Sequence, residues 1–83
     1  MNYFFKACAL KQLQKFPRDI QLRIIQKLDF FCRQDDPLHY AEPLVRSEIG
    51  HYRFRIGDYR VIVDLEDDGF IILLIGHRRD IYR

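Results

Sequence analysis

Apolar residues recur at helical spacing in the first half of the chain and alternate with polar ones in the second. The opening NYFFK predicts a short strand. In ACALKQLQKF, the residues Ala9, Leu10, Leu13 and Phe16 share one stripe and the lysines the other, which predicts an amphipathic helix. Pro17 suits the first turn of a second helix, where its missing N–H costs nothing. Through PRDIQLRIIQKLDFFCRQ, Ile20, Ile24, Leu28 and Phe31 repeat at helical intervals and Ile25 widens the stripe. Asp35, Asp36 and Pro37 end that helix, because the residue before proline avoids the α region. Two helices meeting at one proline form a helical hairpin. LHYAEPLVRSEIG is the least regular part, with room for one short extended piece.

Everything after it reads as strand. YRFRI alternates, Gly57-Asp58 turns, YRVIVDLE continues, Asp68-Gly69 turns and FIILLI follows. The predicted order is β-α-α-β-β-β. It describes an α+β domain in which a short N-terminal strand and a helical hairpin pack on an antiparallel sheet of three further C-terminal strands.

Two-residue loops fix register, so the faces follow. With Gly57-Asp58 as the turn, Arg55 stands opposite Arg60, and Arg53 lies two residues from Arg55 on the same face. The other face carries Tyr52, Phe54, Ile56, Tyr59, Val61, Val63 and Leu65, an apolar surface for the helices. With Asp68-Gly69 as the second turn, Phe70, Ile72 and Leu74 join the core and His77 arrives opposite Arg60. The open face then holds Arg53, Arg55, Arg60 and His77 at one end. Ile62, Ile71, Leu73 and Ile75 form its middle, with Asp64 and Glu66 at the far end. Arg55 across from Arg60 is an unfavourable pair, on the order of 0.2–1 kcal/mol. Neutralising it takes a nearby carboxylate, and Asp58 in the turn is closer than Asp64. Guanidinium forks match phosphate oxygens, so this face reads as an anion site.

The 83 residues make one domain, 1–83. With 48 % hydrophobic and 31 % charged residues the composition is globular rather than disordered. Fourteen basic against twelve acidic residues leave a net charge of +2, which excludes a block-charged nucleic-acid arm; any basic patch must arise by folding. Cys8 and Cys32 lie far apart with no metal-ligand spacing and read as free thiols of a reducing cytosol. No stretch reaches the length of a membrane span and no signal peptide is visible, so a cytoplasmic protein is expected. Strand alternation and a turn scatter Asp64, Glu66, Asp67 and Asp68, so neither metal nor cofactor is expected. His39 and His51, in or beside the irregular connection, carry no assignment.

The chain ends GHRRDIYR, in which Gly76 breaks the last strand and Ile81 or Tyr82 can turn inward. RIGDYRVI and GHRRDIYR, with the upstream ALKQLQKFP and its following helix, resemble the RelE family of toxin ribonucleases over nearly the whole chain. The resemblance implies a toxin that enters the ribosomal A site, cuts mRNA there and is neutralised by a cognate antitoxin. Matched motif to motif, the residues implied are Arg53, Arg55, Arg60, Arg78 and Tyr82. Where a well-studied member has two hairpin lysines, this chain has arginines, which cannot act as bases. His77 is therefore the acid/base candidate, since imidazole titrates near neutrality. The chemistry expected is metal-independent attack of the 2′-hydroxyl on the adjacent phosphate. The alternatives are a ParE-like toxin, which shares the fold and poisons DNA gyrase without a catalytic site, and a degenerate toxin that only binds its antitoxin.

Overall fold

The computed structural model describes residues 1–45 and 48–81. Strand β1 (Asn2–Phe5) leads into helix α1 (Ala7–Gln14) and helix α2 (Arg18–Arg33). A 3₁₀ turn (Pro37–Tyr40) and strand β2 (Ala41–Pro43) precede β3 (Tyr52–Ile56), β4 (Tyr59–Glu66) and β5 (Gly69–His77). The sheet has five strands in the order β1-β5-β4-β3-β2. The predicted α+β class and helical hairpin hold. Two features were not predicted: the short connecting piece pairs with β3 as a true strand, and β1 joins β5 in parallel, making the sheet mixed.

Both helices cover one face. Ala9 and Leu13 of α1, with Ile24, Leu28 and Phe31 of α2, meet Phe54, Ile56, Val61, Val63, Phe70, Ile72 and Ile75 of the sheet. This follows the alternation of β3 and β4, whose in-facing residues are those expected except Leu65, which stays exposed at the end of β4. At the centre the Phe54 ring stacks on Phe31 at 4.7 Å and meets Phe70 edge-on at 5.4 Å.

Strand β5 departs from expectation in two places. The second turn is Asp67-Asp68, with Glu66 opposite Gly69, rather than Asp68-Gly69. Gly69 is needed for a different reason: a Cβ there would lie 2.0 Å from the Asn2 carbonyl oxygen, so only glycine lets β1 run alongside. Further on, Ile62 pairs with Leu74 and Val63 with Ile72, so Leu73 is the extra residue of a β-bulge. The bulge shifts the pleat by one position. Phe70 and Ile72 face the core as expected, but Ile75 takes the place expected of Leu74. Beyond the end of β1, side chains of α1 complete the strand's outer edge. The Gln12 amide oxygen accepts the Ile75 N–H at 2.8 Å and the Cys8 thiol meets the Leu73 carbonyl at 3.5 Å.

The face opposite the helices is less open than expected. Ile62 is completely buried, because the connection before β3 crosses it: a Cβ on Gly50 would lie 2.7 Å from Ile62 Cγ2 and 3.0 Å from Leu73 Cδ1. The apolar middle of that face is thus partly covered by the chain itself, and Ile75 does not belong to it.

Candidate active site

Gly57 has φ of +59°, which a two-residue hairpin turn requires at its first central position. The turn sets the register expected for β3 and β4: Arg55 opposite Arg60, Arg53 opposite Ile62. Arg53, Arg55 and Arg60 therefore share the face away from the helices. Across the sheet they fall in two rows, Glu42–Arg53–Ile62–Leu74 and Arg55–Arg60–Gly76.

The like-charged pair is resolved by turning its members apart. Arg60 is only 7 % exposed, and its Nη1 donates to the Gly57 and Tyr59 carbonyls at 2.9 Å each. Arg55 leans the other way, its Nε 3.5 Å from Glu42 Oε1. Arg53 Nη2 donates to Glu42 Oε2 at 2.5 Å. One carboxylate on the edge strand thus serves both hairpin arginines. Sequence reasoning looked for that counter-charge in Asp58 and Asp64 and missed Glu42. The alternation of Glu42 with its neighbours gives it the right face only once AEP is known to be a strand.

Asp58 serves a different arginine. Its carbonyl accepts the Arg78 N–H at 2.7 Å and its carboxylate lies 3.6 Å from Arg78 Nε. The segment after β5 is thereby tied to the first hairpin's turn, which brings Arg78 to the same end of the sheet. Burial, then the charges of Arg55, Arg53 and Arg78, push the Arg60 guanidinium below its ordinary pKa, against a smaller pull from Glu42. The hydrogen bond from Arg53 holds the Glu42 carboxyl below the usual carboxylate range; burial opposes it, and the arginine charges add to it.

That direction fixes a pH dependence. A carboxyl whose folded-state pKa is lowered contributes stability above its unfolded value, about 4.3, and loses it as pH falls through the folded value. The thermal midpoint of wild type should accordingly exceed that of Glu42→Gln most at neutral pH. The gap should narrow as pH falls from about 5 to 3, as read by circular dichroism.

His77 is not where the expected register put it. The bulge at Leu73 and the earlier turn place it opposite Tyr59 and leave Gly76 opposite Arg60. Its ring lies edge-on to Tyr59 at 5.5 Å, and its Nδ1 accepts the Arg79 N–H at 3.1 Å. It leaves the arginine face, and the acid/base role expected of it loses its geometric basis. At the chain end Ile81 turns inward and packs over Gly76. Tyr82 lies outside the described residues. Another histidine does reach the arginine face: His51 Nδ1 lies 2.6 Å from Asp64 Oδ1, and Asp64 alternates with Ile62 and Arg60 along β4.

Residues 3–82 match the model of the family described as ParE toxin of type II toxin–antitoxin system, parDE. Toxin RelG of Mycobacterium tuberculosis is 32 % identical over 81 residues, spanning 95 % of this chain and 92 % of its own. Toxin RelE3 of Methanocaldococcus jannaschii is 27 % identical over 85 residues, spanning 99 % and 96 %. Among solved structures, the toxin–antitoxin complex RelBE2 from Mycobacterium tuberculosis contains a chain that superposes with a TM-score of 0.75 at 28 % identity. That match covers 93 % of this chain and 96 % of the other. The RelB–RelE antitoxin–toxin complex from Methanococcus jannaschii, at TM-score 0.65 and 23 % identity over 95 % and 94 %, shares the fold. Matched over nearly its whole length, the chain belongs to the ParE toxin family of type II toxin–antitoxin systems, within the RelE/ParE superfamily.

Proposed function

We propose that this toxin is an mRNA endoribonuclease that works in the ribosomal A site in the cytoplasm and is neutralised by a cognate antitoxin. The observation that carries the reading is the gathering of Arg53, Arg55, Arg60 and Arg78 at one end of the sheet, where Glu42 and Asp58 pair with them among the described residues. Four guanidinium groups so placed suit a phosphodiester backbone better than a protein partner. Arg53 and Arg60 hold and neutralise the scissile phosphate, Arg55 adds field, and Arg78 stands near the leaving oxygen. Tyr82, beyond the described residues, stacks on or orients the nucleotide at the cut. The names of the RelG and RelE3 relatives favour this branch. The antitoxin rests on the RelBE2 complex, whose toxin chain this one resembles.

Two observations favour a second reading, a ParE-like gyrase poison. The matched family model is that of ParE, and Glu42 already engages two of the arginines. Expression without antitoxin, with primer extension on a reporter mRNA, separates the two. Arg55 and Arg78 are exposed, so Arg55→Ala and Arg78→Ala should fold normally. Each should lower cleavage roughly tenfold to a hundredfold, the range for weakening a charge clamp at a reacting phosphate. Growth arrest with intact mRNA favours gyrase, and no toxicity at all favours a protein that only binds its antitoxin.

A further inference from the structure

Among the described residues, the arginine end of the sheet carries four guanidinium groups suited to phosphate, and the imidazole on their face is that of His51. Three observations put it there. Its Nδ1 lies 2.6 Å from Asp64 Oδ1, and its backbone N–H donates to the same oxygen at 2.6 Å. Asp64 shares the arginine face of β4, alternating with Ile62 and Arg60. His51 directly precedes β3, two residues before Arg53, and its ring meets Asp64 on the face that Arg53 shares. A carboxylate can only accept from the ring, so Nδ1 carries the proton toward Asp64 and Nε2 is the basic nitrogen. Nε2 has no partner among the described residues, and the side chain is 76 % exposed.

The geometry points to His51 as the general base of the proposed cleavage, with Asp64 as its orienting carboxylate. This rests on the nuclease reading above. With a phosphate held on Arg53 and Arg60, the ribose 2′-oxygen bonds to phosphorus while its proton passes to His51 Nε2. The bond from phosphorus to the 5′-oxygen breaks, and that oxygen takes a proton from water. His51 then releases its proton to solvent. The products are a 2′,3′-cyclic phosphate and a 5′-hydroxyl end. Asp64 fixes the tautomer and stabilises the imidazolium as it forms.

The charged groups facing His51 are Asp64 from β4, Arg53 from β3 with its Glu42 partner from β2, and Glu66 farther along β4. The test is kcat/KM for cleavage of mRNA on programmed ribosomes across pH, using the purified full chain. Wild type should lose activity as pH falls and the base takes up its proton. His51→Gln should fall about a hundredfold and lose that acid limb. Asp64→Asn should fall less, and added imidazole should restore cleavage to His51→Ala. Cleavage by His51→Gln within threefold of wild type, with the same acid limb, overturns the proposal and leaves the nuclease intact. A loss that imidazole does not restore in His51→Ala marks a merely structural role and also overturns it. No cleavage by wild type sinks the nuclease reading, and this proposal with it.

Discussion

Phe54→Ala should lower stability by about 3–5 kcal/mol, the usual cost of truncating a fully buried aromatic. Phe54 has no exposed surface and lies between α2 and β5, stacked on Phe31 and edge-on to Phe70. Few side chains can close the gap. Ile24 and Leu28 line the same buried face of α2 as Phe31, so the surrounding core is already filled. A domain of this size has roughly 4–12 kcal/mol in all. Each kcal/mol moves the midpoint about 4–8 °C, so the variant should melt about 12–40 °C below wild type. A drop under 5 °C by differential scanning calorimetry would mean that the helices are not seated on this ring.

That centre was legible in the sequence because each contributing segment is periodic over its own length. Ile24, Leu28 and Phe31 repeat at helical spacing, and Phe54, Ile56, Val61 and Val63 alternate about a turn marked by glycine. Strand β5 was not legible, because FIILLI is apolar throughout and alternation gives no face to choose. Which residue becomes the bulge depends on β1 arriving in parallel, on the side of β5 away from β4, and on Gln12 from α1 taking the Ile75 N–H. Those are tertiary events. The earlier turn and the bulge together moved His77 from beside Arg60 to beside Tyr59.

The arginine face divides in the same way. Arg53, Arg55 and Arg60 were readable because a two-residue turn fixes everything paired across it. Glu42 and His51 were not, since both belong to the irregular connection. Their contacts exist only after Ala41–Pro43 adds to the sheet edge and Gly50 crosses Ile62. The missing signal was a strand of three residues, too short for any alternation to show.

Arg60→Met should abolish most cleavage, about a hundredfold to a thousandfold in kcat, while changing stability by less than about 1 kcal/mol. The two halves of this expectation have separate causes. Burial, then the charges of Arg55, Arg53 and Arg78, holds the Arg60 guanidinium below its ordinary pKa, an unfavourable place for a cation. Methionine fills a similar unbranched channel and removes the repulsion. The loss on the other side is two hydrogen bonds, to the Gly57 and Tyr59 carbonyls, at a turn where water can replace them. On the proposed nuclease reading, the cation kept at this position serves the phosphate it meets. Wild type should therefore melt higher in millimolar phosphate, by an amount that grows with concentration. Arg60→Met should show little of that rise. Calorimetry of both proteins with and without phosphate, beside primer extension, reads the two halves together. A variant that loses several kcal/mol would make Arg60 a brace for the hairpin turn. One that cleaves normally would remove it from the phosphate site.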